Sequence, residues 1–260
     1  MSAASPVAAL RDAVAAGRPT LSAWCSLSGF ASAGLLAGEE FDAVTLDMQH
    51  GAGSLADCFA AIPLVAAAGK PFVARIPVGD FASASRLLDA GAAGIIAPMI
   101  NTLEDARRFA GFMKFPPLGE RSWGPHGALA LSGLTGEAYF RAANDFCLAF
   151  AMVETRESLA ILDDILAVAG IDGVFIGPYD LSIGLSGGAV LDPQSPAVED
   201  ALDHALARSR AAGKAAGVYA ATPERAGEMV RRGFDFVALG SDSSLLRTGA
   251  QAALRTARGR

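Results

Sequence analysis

Lysine is nearly absent from this chain: among 260 residues only Lys70, Lys114 and Lys214 occur. Lys70 and Lys214 directly precede apolar runs and Lys114 ends an amphipathic one. None lies where a strand would deliver it to a pocket, which argues against imine chemistry through a lysine amine. Cysteine is equally sparse. Cys25, Cys58 and Cys147 are scattered, odd in number and without CxxC spacing, which excludes a disulfide framework and a zinc knuckle and fits a reducing cytoplasm. Charge is low too. Asp, Glu, Lys and Arg make up 18% of residues, the formal net charge is −6, and no basic stripe exists, so neither nucleic acid nor an anionic membrane is an expected partner. The first turns carry Asp12 and no basic-then-apolar run, so no signal peptide is expected. One uncharged stretch, Pro19 to Gly38, is long enough to cross a bilayer. Its four serines and three glycines make it strand, loop and helix instead.

What remains is abundant apolar residue, Gly and Ala, the composition of a large packed core. Short runs rich in Val, Ile and Phe alternate with amphipathic Ala/Leu-rich segments. The expected strands are Ser22 to Leu27, Phe41 to Leu46, Pro71 to Ile76, Gly94 to Pro98, Phe146 to Val153, Gly173 to Ile176, Ala215 to Ala220 and Phe234 to Leu239. Helix starts are marked by Thr102, Thr155 and Thr222, and helix ends by Gly69, Gly91, Gly170, Gly213 and Gly233. Eight such units without a Gly-rich nucleotide turn after the first strand close most naturally into a (β/α)₈ TIM barrel, here one α/β domain over residues 1–260. A long segment, Phe115 to Asp145, interrupts the rhythm at the lower end of the barrel. It holds Arg121, Trp123 and His126 and is read as a subunit contact. The last helix is expected from Ser243 to about Arg255.

Catalytic groups of such barrels come from the C-terminal ends of strands. That rule selects Asp47, Gln49 and His50 after the second strand, Arg75 at the end of the third, Glu154 after the fifth and Asp180 in GPYD after the sixth. Singly, each reads as a cap, an ion-pair partner or a structural histidine. Jointly they form a rim of chemistry. His126 and His204 fall outside it. Glu154 and Asp180 suit a hard divalent cation such as Mg²⁺ or Mn²⁺. Arg75 could stabilise a developing enolate oxygen, and Asp47 could hold the His50 imidazole while His50 moves a proton.

With these residues assembled, FDAVTLDMQHG, VARIP, LLDAGAAGIIAPMINTLEDARRF, PPLGER, VETRESLAILDDIL and GIDGVFIGPYDLSIGL resemble the class II, metal-dependent pyruvate aldolases of the HpcH/HpaI family over nearly the whole chain. The resemblance implies a lyase that reversibly cleaves 4-hydroxy-2-keto acids to pyruvate, or hydroxypyruvate, and an aldehyde, in the cytoplasm that the cysteine usage already suggests. It implies Mg²⁺, Mn²⁺ or Co²⁺ on Glu154 and Asp180, a His50–Asp47 base pair, and Arg75 on the keto oxygen. Trp24, the Gly177–Pro178 loop with Tyr179, and Asp89, reaching across a subunit interface, would bind substrate. The assembly implied is a homohexamer exchanging its last helices. Two positions depart from the family: Met152 where many members have Gln, and Tyr179 where many have Ala or Ser. The alternatives are a citryl- or malyl-CoA lyase and a non-catalytic barrel serving as a binding subunit.

Overall fold

A computed structural model describes residues 5–259. Eight strands, β1 (Thr20–Cys25), β2 (Ala43–Asp47), β3 (Phe72–Arg75), β4 (Gly94–Ala97), β5 (Leu148–Val153), β6 (Gly173–Ile176), β7 (Ala215–Ala220) and β8 (Phe236–Leu239), pair in parallel and in chain order into a closed barrel. Closure comes from β1 against β8, with Thr20 opposite Phe236. All eight expected strands are present, β6 and β7 with the expected bounds. The strands are apolar on both faces because both are buried, one against the barrel interior and one against the helices.

The punctuation works as the residue types dictate. Thr102, Thr155 and Thr222 each accept a hydrogen bond from the backbone N–H three residues on, opening the helices Leu103–Met113, Arg156–Ala160 and Pro223–Arg232. Gly69, Gly91, Gly170, Gly213 and Gly233 all take positive φ, between 66° and 115°, where the helices stop. Inside the barrel, Val73, Ile96, Phe150, Phe175 and Phe236 fill the cross-section, and Leu10 of the helix Ala9–Ala15 closes the lower end against Gly94. This packed floor leaves room for a cavity only above it.

The stretch from Pro19 to Gly38 is β1, a loop and the helix Ala31–Ala37, and among the described residues no helix is long and apolar enough to cross a membrane. The segment from Phe115 to Asp145 contains two helices, His126–Ser132 and Gly136–Phe146, the second ending one residue beyond it. Arg121 is buried there, its guanidinium 4.5 Å from the centre of the Phe115 ring and 2.8 Å from Asp89. The last helix, Asp242–Ala257, buries only Asp242 and leaves Leu246 and Leu254 exposed.

Candidate active site

The β2 and β3 runs stop at charged residues because the barrel's upper end is the first place along them where a charge can face a cavity and find a partner. Asp47 and Arg75, the last residues of these strands, stand opposite each other in the β2–β3 register. Nε of Arg75 donates to Oδ1 of Asp47 at 2.8 Å and Nη2 donates to Oδ2 at 2.6 Å, a two-pronged pair almost out of solvent. Oδ1 also accepts the backbone N–H groups of Gln49 at 3.0 Å and His50 at 3.4 Å. Burial pushes the Asp47 carboxyl up, but Arg75 and these two N–H groups together bring it below the ordinary aspartate range.

This geometry differs from the expected Asp47–His50 side-chain pairing. Both Asp47 oxygens are committed to Arg75 and to the turn that follows β2, so Asp47 meets His50 through its backbone only. Arg75 is left with Nη1 toward the cavity, where its neighbour is the Met152 sulfur at 4.0 Å. Its guanidinium lies 5.0 Å from the centre of the Trp24 ring, which covers one face.

Glu154 follows β5 directly and is 1% exposed. Its Oε1 accepts the Met99 backbone N–H at 2.8 Å, whereas Oε2 is buried without a partner. Met99 is the one non-glycine residue with positive φ among those described, at 55°, so a strained turn after β4 delivers that N–H. Desolvation, with a smaller push from the Asp180 charge, raises Glu154 to about 7 against the pull of the Met99 N–H and Arg75. Asp180 sits in the first turn of the helix Pro178–Ser186. Gly177, which caps that helix, approaches the acid closely: a Cβ there would lie 2.7 Å from Oε2 of Glu154 and 2.6 Å from the Met152 methyl, so any larger residue would push those side chains aside. An orphaned carboxylate oxygen beside a second carboxylate is a donor set that fits a hard divalent cation with open positions for other ligands. Among the described residues no group of three or more His, Cys, Asp or Glu side chains is gathered, so these two acids would be the only side-chain anchors of that kind.

A cavity of about 360 Å³ opens above the packed floor, and Trp24, Asp47, His50, Arg75, Gly177, Pro178, Tyr179 and Asp180 all line it. The sequence reading therefore brought eight residues to one place, with Glu154 buried behind them. Asp89 is not among them. It ends the helix Phe81–Ala90 at the opposite end of the barrel and accepts from Arg121, because chain direction carries that helix down from the rim. His126 and His204 also lie away from the cavity.

Ser26, Phe175, Tyr219 and Ser241 line the cavity and were not foreseen. Phe175 and Tyr219 lie in apolar strand runs and read as core. Ser241 reads as a helix cap, which it also is. Behind Ser26, the Asp242 carboxylate accepts the backbone N–H groups of Ser26 and Leu27 and the Ser26 hydroxyl, tying the loop after β1 to the last helix. No local pattern announces a clasp between residues so far apart in sequence.

Residues 21–249 match the model of the HpcH/HpaI aldolase/citrate lyase family. A hydroxypyruvate/pyruvate aldolase of Rhizorhabdus wittichii is 41% identical over 245 residues, 93% of this chain and 95% of that protein. A 4-hydroxy-2-oxo-heptane-1,7-dioate aldolase of Salmonella dublin is 37% identical over 244 residues, covering 94% and 92% of the two chains. A solved structure of a family protein from Burkholderia cenocepacia superposes with a TM-score of 0.85 at 28% identity over 96% of this chain and 99% of the other.

Proposed function

The chain belongs to the HpcH/HpaI aldolase/citrate lyase family and is a carbon–carbon lyase of the aldolase type, and from that premise we propose that it cleaves and forms 4-hydroxy-2-keto acids, with pyruvate or hydroxypyruvate as the donor and an aldehyde as the acceptor. The observation that carries this reading is the buried, partnerless Oε2 of Glu154, behind the wall of a cavity lined by Asp180 and Arg75. A divalent cation held by Glu154 and Asp180 would supply Lewis acidity to the 2-keto group of the substrate.

The chain's own residues then divide the work. Asp47 clamps Arg75 through Nε and Nη2, so the remaining nitrogen, Nη1, is presented to the cavity and can hold the keto oxygen as it gains negative charge. His50, exposed at the rim, takes the proton from the C4 hydroxyl as the C3–C4 bond breaks. The bonding pair passes to C3 as an enolate, the aldehyde leaves, and C3 is reprotonated. Trp24 and Phe175 exclude water from the donor side of the cavity. Asp47 is on this account the positioning residue for Arg75 rather than for the imidazole.

A coenzyme A thioester is a poorer fit, because Arg75, already paired, is among the described residues the only Lys or Arg lining the cavity. The three cysteines are free and buried, which supports a cytoplasmic setting. The apolar residues left open on the helix Asp242–Ala257 support assembly with further copies of the chain, a hexamer by resemblance.

The reading is tested by hydrogen–deuterium exchange at the pyruvate methyl group, followed by NMR in D₂O with a divalent cation present. Exchange is expected, and His50→Ala should slow turnover of a 4-hydroxy-2-keto acid by roughly 10² to 10⁴-fold without a shift in Tm, since His50 is exposed. Wild-type turnover in that variant would remove His50 from the mechanism.

A further inference from the structure

Four aromatic rings run from the cavity floor to its mouth on one side. Phe175 stacks against Trp24 at 6.0 Å, Trp24 meets Tyr219 edge-on at 5.5 Å, and Tyr219 meets Tyr179 edge-on at 6.3 Å. Of the inner two rings, Trp24 covers Arg75 at the donor end. The outer two stand at the rim. Tyr179 is 38% exposed, in the first turn of the helix Pro178–Ser186 and beside Asp180, so its ring borders the space that the aldehyde half of a substrate would occupy.

The charges of the cavity are lopsided. Asp47 and Asp180 line it, Glu154 lies behind it, and among the described residues Arg75 is its only Lys or Arg, with His50 as the proton carrier beside it. Arg75 is already held in two-pronged fashion by Asp47. The serine hydroxyls are also engaged: Ser26 Oγ donates to Asp242 at 3.0 Å, and Ser241 Oγ shares a hydrogen bond with Ser243 Oγ at 2.9 Å. An acceptor bearing a second carboxylate would lose its hydration without meeting a free cation. A flat or apolar tail would instead cover the exposed ring of Tyr179 and the edge of Tyr219.

We infer that this site selects an uncharged acceptor aldehyde with an aromatic or apolar tail, and that Tyr179, seated against Tyr219, is the residue that sets the preference; the inference rests on the aldolase reading above. The tyrosine covers that part of the rim with an uncharged ring, 38% exposed.

The test compares kcat/KM for addition of pyruvate to benzaldehyde and to 4-oxobutanoate, with a divalent cation present, in wild-type protein and in Tyr179→Ala, Tyr179→Phe and Tyr179→Arg. Using the ratio of the two aldehydes cancels any general loss of activity in a variant. Wild type is expected to favour benzaldehyde by about tenfold. Tyr179→Ala should lower that ratio at least about threefold, chiefly through the KM for benzaldehyde, and Tyr179→Phe should retain it. Tyr179→Arg, which supplies the missing cation, should turn the ratio toward 4-oxobutanoate. A wild-type ratio at or below one, or a ratio unchanged in Tyr179→Ala, overturns the inference. Pyruvate methyl exchange in wild type without any aldehyde separates the two failures: if exchange occurs and the ratios disagree, this inference alone falls, whereas absent exchange brings down the aldolase reading and this inference with it.

Discussion

Two buried ionic clusters lie at opposite ends of the barrel. At the lower end, the Lys114 ammonium spends all three donors, on the Asn144 and Cys147 carbonyls at 2.6 and 2.8 Å and on Asp172 Oδ2 at 2.7 Å. The same Asp172 oxygen accepts the Ala149 N–H, and Lys214 nearby donates to the Val168 and Ile171 carbonyls. At the upper end, Arg75 and Asp47 satisfy each other, yet Glu154 Oε2 has no partner and Arg75 Nη1 has only a distant sulfur. Both clusters carry the cost of taking charge out of water. Only the lower one is complete within the chain, which marks it as structural. The upper one leaves polar groups unpaired beside a cavity, where they cost stability that a ligand would restore.

The sharpest way to separate the two clusters is to break the lower one. Lys114→Met strands the Asp172 carboxylate beneath β5 and should cost about 3 to 5 kcal/mol of unfolding free energy, read by urea denaturation, with kcat and KM unchanged at a permissive temperature. Loss of activity in a still-folded variant would mean that the lower cluster reaches the site.

A change at the upper end should act with the opposite sign. Glu154 is raised to about 7 in the folded chain, chiefly by desolvation. Its contribution to stability is therefore full at low pH, where both states are protonated, and is lost as pH rises from the ordinary carboxylate range through 7. In protein stripped of divalent cation, Glu154→Gln should be more stable than wild type by up to about 3 kcal/mol at pH 8, with the gain shrinking as pH falls below 7. A Tm difference that does not vary with pH would contradict the assignment. Asp47 runs the other way: held below its ordinary value once Arg75 and the two turn N–H groups outweigh desolvation, it stabilises the fold above that value and ceases to do so in acid.

The smallest effect is expected where a pair is exposed on both sides. Arg208 and Asp163 join two outer helices by hydrogen bonds, with side chains 45% and 61% exposed. Asp163→Asn should change stability by less than about 0.5 kcal/mol, and a larger loss by the same urea measurement would mean that surface charge does more for this fold than either buried cluster suggests.

Much of the upper site could be read from residue order. The runs leading to Asp47, Arg75 and Glu154 carry no other charge, so chain direction alone sends these charges to one rim. What order does not disclose is which partner each charge takes. Asp47 and Arg75 are 28 residues apart and become neighbours only through the β2–β3 register. That closeness gives both carboxylate oxygens to the guanidinium. Tyr219 stayed hidden because a single aromatic in an apolar strand is ordinarily core, and Ser26 and Asp242 because their clasp spans 216 residues. Asp89, expected to act across a subunit interface, ends its helix away from this chain's own cavity and is held there by Arg121.

The account turns on Glu154 and Asp180 as the anchors of a divalent cation, and Mn²⁺ binding to the wild-type protein as a function of pH addresses it most directly. Because Glu154 must give up its proton to bind, affinity should fall about tenfold for each pH unit below 7, with one proton released per ion, and should level off above pH 8. Binding that is absent in the wild type, indifferent to pH across that range, or unchanged in Glu154→Gln would contradict it.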